Sequence, residues 1–290
     1  MRLASIRMDG RTIPALVEGE RFLPLTESAS VKAIIAGADP AGWVAGKRAA
    51  ATDADWKLLA GATFDLPIAD PGKIICIGLN YRDHAAEGGN PIPDYPALFM
   101  RTRISLVGAG QPIVRPQASE RYDYEAELAI VIGKTCRHLS EDQALDAVFG
   151  YTLFNDGSVR DYQRKAPQWT AGKNFDASGS VGPAIVSKDE LPVGASGLKI
   201  MSRVNGALLQ NGNTGDMIFP VARAVSIISE VMTLEPGDLI ATGTPAGVGY
   251  ARKPPLWMKA GDVCEVEIEG IGCLVNPVVD EDMSKTRRLG

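Results

Sequence analysis

The 290-residue sequence predicts an α+β, β-rich fold, and three observations carry that expectation. Beyond residue 70 the chain is a succession of short apolar runs stopped by glycine, the pattern of strands. Sustained helical periodicity is clearest over residues 218–234. Strand-like and helix-like segments do not alternate strictly, which argues against a doubly wound parallel sheet and for a mixed, mainly antiparallel one.

Taken in order, residues 3–8 and 12–17 alternate as strands do, and an Ala/Gly-rich stretch leads into a helical segment over residues 43–59. Pro67, Asp70, Pro71 and Gly72 then punctuate the chain. Residues 1–70 read as a small N-terminal α/β domain without visible chemistry, and residues 71–290 as the domain that carries it. Residues 73–77 form a strand stopped by Gly78, and residues 124–132 a longer one ending at Gly133. Ser140, with Gln143 three residues on as its capping-box partner, starts a helix that runs toward Gly150. Residues 151–154 are again a strand. Asn205-Gly206, between strands at 198–204 and 207–209, is the strongest two-residue hairpin signal in the chain. The helix over 218–234 stops at the turn Glu235-Pro236-Gly237-Asp238. Strands at 239–242 and Val263–Ile268 and a last hairpin at 269–272 complete the order.

Apolar residues make up 45% of the chain and charged residues 22%, as in ordinary globular proteins. A net charge of −5 without any basic run disfavours a nucleic-acid partner. No apolar stretch approaches the ~18–20 residues of a membrane span, and the N-terminus lacks a run of signal-peptide length. A cytoplasmic protein is expected. Cys76, Cys136, Cys264 and Cys273 form no C-x-x-C pair. Cys264 and Cys273 flank the last hairpin and could face each other, but a reducing compartment favours free, buried thiols.

Five segments carry candidate chemistry. In Tyr124-Glu125-Ala126-Glu127, residues two apart on a strand share a face, so Glu125 and Glu127 stand side by side. Two adjacent carboxylates are costly to ionise together unless a cation lies between them, and a hard divalent ion such as Mg²⁺, Mn²⁺ or Ca²⁺ prefers such oxygens. Alone, such a pair more often lines the solvent face of an amphipathic strand. Asp156, just past the strand at 151–154, offers a third oxygen or the cap of an Asx turn; Arg160, Asp161 and Gln163 follow within reach of the same place. His84 is one of only two histidines, and Glu87 lies three residues on. On a helix the two are neighbours, a general base with an orienting carboxylate, or an ordinary surface pair. His138, beside Arg137, is assigned to structure. Lys173, between Gly172 and Asn174, could reach an anionic oxygen or a developing enolate, although a solvated lysine is the usual outcome. Thr242-Gly243-Thr244-Pro245-Ala246-Gly247 could cradle a carboxylate with backbone N–H groups and hydroxyls. It is not a P-loop, since no G-K-[ST] closes it.

Together and in this order, G-L-N-Y-R-D-H-A-A-E, Y-E-A-E-L-A-I-V-I-G-K, G-Y-T-L-F-N-D-G-S-V-R-D-Y-Q, G-K-N-F-D and A-T-G-T-P-A-G-V-G resemble the fumarylacetoacetate hydrolase family, its acylpyruvase and 5-carboxymethyl-2-hydroxymuconate isomerase-like branch. The resemblance spans about residues 73–278, and residues 1–70 look like the variable N-terminal domain of many members. It implies a mixed β-sandwich roll, usually a homodimer, with one divalent cation, Mg²⁺ or Mn²⁺ (or Ca²⁺), on Glu125, Glu127 and Asp156. It further implies a His84–Glu87 dyad, an enolate-stabilising Lys173, and substrate contacts from Arg160, Gln163, Gly243 and Thr244. The implied activity is hydrolysis of a C–C bond in a small 2,4-dioxo acid of acylpyruvate type, as in aromatic-compound catabolism, by way of a pyruvate enolate. Isomerisation of a hydroxymuconate-type acid and decarboxylation of oxaloacetate are the alternatives at the same site, and a non-catalytic 2-oxo acid binding protein is another. Two departures stand out. Gly157 and Val159 replace the usual valine and alanine of N-D-V-S-A-R-D, and Ala177-Ser178-Gly179-Ser180-Val181 replaces the usual threonine, phenylalanine and proline after G-K-x-F-D.

Overall fold

Every side chain of the strand Ala126–Ile132 is buried, and successive ones enter opposite cores. Leu128, Ile130 and Ile132 pack with Ile75, Ile77 and the Ala224, Val225 and Ile228 face of the helix Val221–Val231. Ala129 and Val131 pack instead with Ile74, Cys76 and Leu239 and with Val31, Ile34 and Val44 from the N-terminal helices. A strand covered on both faces reads as a continuous apolar run, which is why residues 128–132 show no polar alternation.

The structure is a computed structural model that describes residues 1–285. Its main sheet has 12 strands. The path runs from Lys57–Leu58 through Arg21–Pro24, Arg11–Glu18, Arg2–Met8, Gly179–Ser187, Val148–Asn155, Ala126–Ile132, Leu239–Ala241 and Ile74–Gly78 to Ala97–Met100. Arg2–Met8 pairs with Gly179–Ser187, Arg2 opposite Val186, so the N-terminal strands extend the same sheet. Pairing is antiparallel along this path except between Leu239–Ala241 and Ile74–Gly78, which run parallel. A second sheet of 5 strands joins Ala207–Asn213, Lys199–Val204, Val263–Ile268, Gly272–Asp280 and Ile113–Arg115. Its Ile200, Val266, Ile268 and Leu274 close the core under the first sheet. The α+β, β-rich class is thus the observed one. No described helix is long and apolar enough to cross a membrane.

Several elements differ from their expected extent. The helix expected over 43–59 is Pro40–Ala50, because Asp39 caps it by accepting from Gly42 N–H at 2.9 Å with Pro40 in the first turn. The helix after Ser140 is one turn, Glu141–Ala144, and the strand begins at Val148. The Ser140 hydroxyl bonds the Gln143 side chain rather than its backbone, so no capping box forms. The helix expected from residue 218 begins at Val221, since Phe219 N–H is held by the Asn80 side chain at 2.7 Å. The strand expected from residue 124 begins at Ala126, while Tyr122–Asp123 pairs separately with Ser158–Val159. All four cysteines are free, but Cys273 is exposed. Cys264 lies opposite Asn276 and Cys273 opposite Glu267, so the two do not face each other.

Asn205 and Gly206 have φ of 52° and 76°, the left-handed pair of a type I′ turn. A Cβ at Gly206 would meet nothing within 4 Å. Gly206→Ala should therefore cost backbone strain alone, about 1 kcal/mol. Urea unfolding should show a lower midpoint at unchanged slope, and an unmoved midpoint would contradict the turn assignment.

Candidate metal centre and its cavity

The site forms where three neighbouring strands run out together. In the register of the central pair, Ala126 lies opposite Asn155. One residue further, Asp156 N–H donates to Glu125 C=O at 3.0 Å, which places Asp156 beside Glu125. On the other side Ala129 lies opposite Ala241, and the same register carries Gly243 to Glu127, where Gly243 N–H donates to Glu127 Oε2 at 2.9 Å. One carboxylate oxygen from each of Glu125, Glu127 and Asp156 lies within 4.8 Å of the other two, and all three residues are buried.

Such a group cannot stay charged without compensation. Lys173 Nζ lies 2.6 Å from both Glu125 Oε2 and Asp156 Oδ2. Arg160 Nε bonds Asp123 Oδ2 at 2.8 Å, and its Nη2 lies 2.7 Å from Glu125 Oε1. That Nη2 is outside the hydrogen-bonding direction, so among the described residues its buried N–H groups lack an acceptor. Burial opposes ionisation of Glu125, but Lys173 and Arg160 outweigh it and hold this carboxyl below the usual range. Burial likewise disfavours the Lys173 ammonium, yet Asp156 and Glu125 raise it above an ordinary lysine. Among the described residues, no cationic side chain is bonded to Glu127. Burial, with Asp156 and Glu125 beside it, pushes its carboxyl well above the usual range, and Lys173 and the Gly243 N–H only partly offset this. The centre is therefore short of positive charge on the Glu127 side. A hard divalent cation fits that deficit, since every donor is a carboxylate oxygen and no thiolate or imidazole competes.

His84 sits on the short helix Arg82–Glu87 with its Nδ1 at 3.2 Å from Glu87 Oε2. Gly247 N–H donates to the other oxygen of Glu87 at 2.9 Å. Burial works against the Glu87 charge, but the bonds from His84 and Gly247 prevail and lower its carboxyl below the usual range. The segment is anchored by Asn80. Its side-chain amide donates to Thr242 C=O at 2.7 Å and Phe219 C=O at 3.1 Å, and accepts from Phe219 N–H. Gly243 has φ of +90°, and a Cβ there would lie 2.9 Å from Asn80 Cβ, so only glycine lets the two loops meet.

A cavity of about 220 Å³ opens onto this centre. His84, Glu125, Glu127, Asp156, Arg160, Gln163, Lys173, Gly243 and Thr244 all line it, whereas Glu87 stands behind His84. The Gly243 N–H serves Glu127, and the Thr244 hydroxyl donates to Ala126 C=O and accepts from Gln210, so both are engaged by the scaffold.

Several lining or supporting residues escaped the sequence, Arg101, Trp169, Tyr250 and Arg164 among them. Arg101 is buried behind the centre and donates to Asp156 Oδ1 at 2.5 Å, Gly157 C=O at 3.1 Å and Ser178 Oγ at 2.9 Å. It also explains how the two departures from the family pattern fit together. A Cβ at Gly157 would lie 1.8 Å from the Ser178 carbonyl oxygen, so the glycine admits the altered segment, and Ser178 returns a hydroxyl to Arg101. Trp169 lies across Gly78, where a Cβ would come within 1.9 Å of the indole, and its ring meets Phe99 edge-on at 5.5 Å. Tyr250 follows the Gly247–Gly249 turn, and Arg164 directly follows Gln163; both line the cavity. Only the last two sat next to a recognised segment.

Residues 73–279 match the family described as fumarylacetoacetate (FAA) hydrolase C-terminal. Over 233 residues the chain is 46% identical to the Xenopus laevis protein named oxaloacetate tautomerase fahd2, mitochondrial, covering 79% of this chain and 73% of that one. Two solved structures each cover 97% of this chain and 100% of their own. One is 5-carboxymethyl-2-hydroxymuconate delta-isomerase from Mycobacterium smegmatis, 32% identical with a TM-score of 0.79. The other is maleylpyruvate hydrolase from Sphingobium sp. SYK-6 in complex with manganese(II) ion and pyruvate, 30% identical with a TM-score of 0.81. A tautomerase, an isomerase and a hydrolase are thus all similar to this chain.

The raised Glu127 carboxyl keeps its proton to higher pH than an ordinary one, and a bound cation must displace it. Mn²⁺ affinity should therefore rise with pH above about 5, where unperturbed carboxyls are already ionised. Titration calorimetry in two buffers of different ionisation heat should record proton release, and pH-independent binding without release would contradict this assignment. Arg101→Lys keeps the charge but cannot hold Asp156, Gly157 and Ser178 at once. It should weaken Mn²⁺ binding about 10- to 100-fold, and an unchanged affinity would remove Arg101 from the site.

Proposed function

The chain belongs to the fumarylacetoacetate hydrolase C-terminal family, and on that premise we propose that it is a divalent-metal-dependent enzyme that forms the enolate of a small 2-oxo acid. One observation carries the reading: the carboxylate triad and His84, which Glu87 backs from behind, open onto the same cavity. Glu125, Glu127 and Asp156 would hold the cation, Mg²⁺ or Mn²⁺, which when bound supplies Lewis acidity toward the oxygens of a 2-oxo acid.

The proton chemistry falls to His84. Glu87 is an anionic acceptor at Nδ1, so the ring's proton rests there and the Nε2 lone pair is free. His84 Nε2 takes a proton from the carbon next to the 2-oxo group. The C–H electron pair becomes the enolate C=C bond, the carbonyl electron pair moves onto oxygen, and the proton returns from His84 to that oxygen or to carbon. Lys173 donates to Glu125 and Asp156 and brings a fixed positive charge beside this developing one. Arg160 Nη2 offers the buried donors that a substrate oxygen would satisfy.

Keto–enol interconversion of an oxaloacetate-type acid needs no more than this, and the relative at 46% identity is named for it. Hydrolysis of a C–C bond in a 2,4-dioxo acid is the second reading. There His84 would deprotonate a water that adds to the 4-carbonyl. Collapse of the adduct would break the C3–C4 bond, release the acyl carbon as a carboxylic acid and leave the bonding pair as the pyruvate enolate, which takes the proton back from His84. The likeness to a maleylpyruvate hydrolase favours this reading.

The test is a turnover panel of oxaloacetate, acetylpyruvate, fumarylpyruvate and a carboxymethyl-hydroxymuconate with metal-loaded protein, following enol absorbance and pyruvate. Chelator-sensitive loss of enol absorbance without pyruvate supports the first reading, and pyruvate from an acylpyruvate the second. His84→Ala should lower kcat by about 10²-fold or more while Mn²⁺ affinity stays within about twofold, since the histidine is not a ligand. Full turnover after metal stripping, or in His84→Ala, would overturn the assignment.

A further inference from the structure

The cations around the cavity are not equally committed. Lys173 is held by Glu125 and Asp156, Arg101 by Asp156, and Arg160 by Asp123 and Glu125. Arg164 lines the same cavity, and among the described residues no carboxylate stands within 4.0 Å of its guanidinium. It is nevertheless placed. Its Cζ lies 4.9 Å from the Tyr250 ring centroid, and the Arg160 Cζ lies 4.5 Å from the same ring. An aromatic face orients a guanidinium without neutralising it, so the charge stays available to a ligand.

Two amides accompany it. Gln163 Oε1 accepts from Arg160 Nη1 at 3.0 Å, which leaves the Gln163 NH₂ to donate. Asn90 lines the cavity as well. Arg160 spans the two ends, since it touches Glu125 through Nη2 and shares Tyr250 with Arg164. A planar guanidinium and two amides lining one cavity supply donors that match a carboxylate.

We propose that Arg164, with the side chains of Gln163 and Asn90, forms a subsite for a second carboxylate, and that this chain selects dicarboxylic 2-oxo acids over monocarboxylic ones. The proposal rests on the 2-oxo acid reading above, which places the ligand's 2-oxo head at the carboxylate triad.

Binding to Mn²⁺-loaded protein tests it with matched pairs in which a methyl replaces the distal carboxylate: oxaloacetate against 2-oxobutanoate, and 2-oxoadipate against 2-oxohexanoate. The wild type should prefer at least one diacid by about tenfold or more. Arg164→Gln should erase that preference by weakening the diacid alone, and Arg164→Lys should restore part of it. A wild type that binds the monoacids metal-dependently but shows no diacid preference overturns the subsite and leaves the 2-oxo acid reading standing. The subsite also fails if Arg164→Gln weakens both members of a pair equally. No metal-dependent binding of any of the four acids would overturn the 2-oxo acid reading, and the subsite with it.

Discussion

The burial of three carboxylates within 4.8 Å of one another is the constraint around which the rest of the molecule is organised. Each needs a compensating charge or a proton, and the compensators come from distant parts of the chain. Lys173 arrives on the short helix Thr170–Lys173, Arg160 on Arg160–Gln163, and Arg101 from the end of the edge strand Ala97–Met100. Removing one partner of a buried pair costs about 3–5 kcal/mol, so these elements are tied to the centre by its electrostatics as well as by packing. The imbalance that remains, on Glu127, is where a cation belongs.

The sheet supplies the geometry. Two registers, one on each side of Ala126–Ile132, bring Asp156 to Glu125 and Gly243 to Glu127 with no long side chains needed for the reach. Strand Ile74–Gly78 runs parallel to Leu239–Ala241 and delivers the turn that bears Asn80, the helix that bears His84, and the backbone on which Trp169 lies. Gly78, Gly157 and Gly243 are among the glycines of the site that stand where another chain segment approaches too closely for a side chain. Gly157 is the instructive case. Its departure from the family pattern and that of Ser178 are two halves of one contact, with Arg101 between them.

What could be read from the sequence was local in period. Glu125 and Glu127 share a face because strand side chains repeat every two residues, and His84 and Glu87 meet because helical neighbours are three apart. The type I′ turn at Asn205-Gly206 and the strand Val263–Ile268 are likewise set by adjacent residues. What could not be read was set by separation in the chain. Arg101 and Asp156 are 55 residues apart, and Met100-Arg101-Thr102-Arg103 looks like any solvated basic stretch. Helix ends escape the sequence for a related reason. Phe219 has helical periodicity, but its N–H belongs to Asn80, 139 residues earlier. Trp169 and Tyr250 acquire their roles only when the sheet brings Gly78 and Arg160 beneath them.

The most direct test of a cation at the carboxylate triad is crystallographic. Crystals of the Mn²⁺-loaded protein, measured on either side of the manganese absorption edge, should show one anomalous peak per chain at coordinating distance from oxygens of Glu125, Glu127 and Asp156. A peak elsewhere, or none at these three residues under saturating Mn²⁺, would mean that the buried carboxylates are balanced by Lys173, Arg160 and Arg101 alone and that the metal-centred chemistry does not hold.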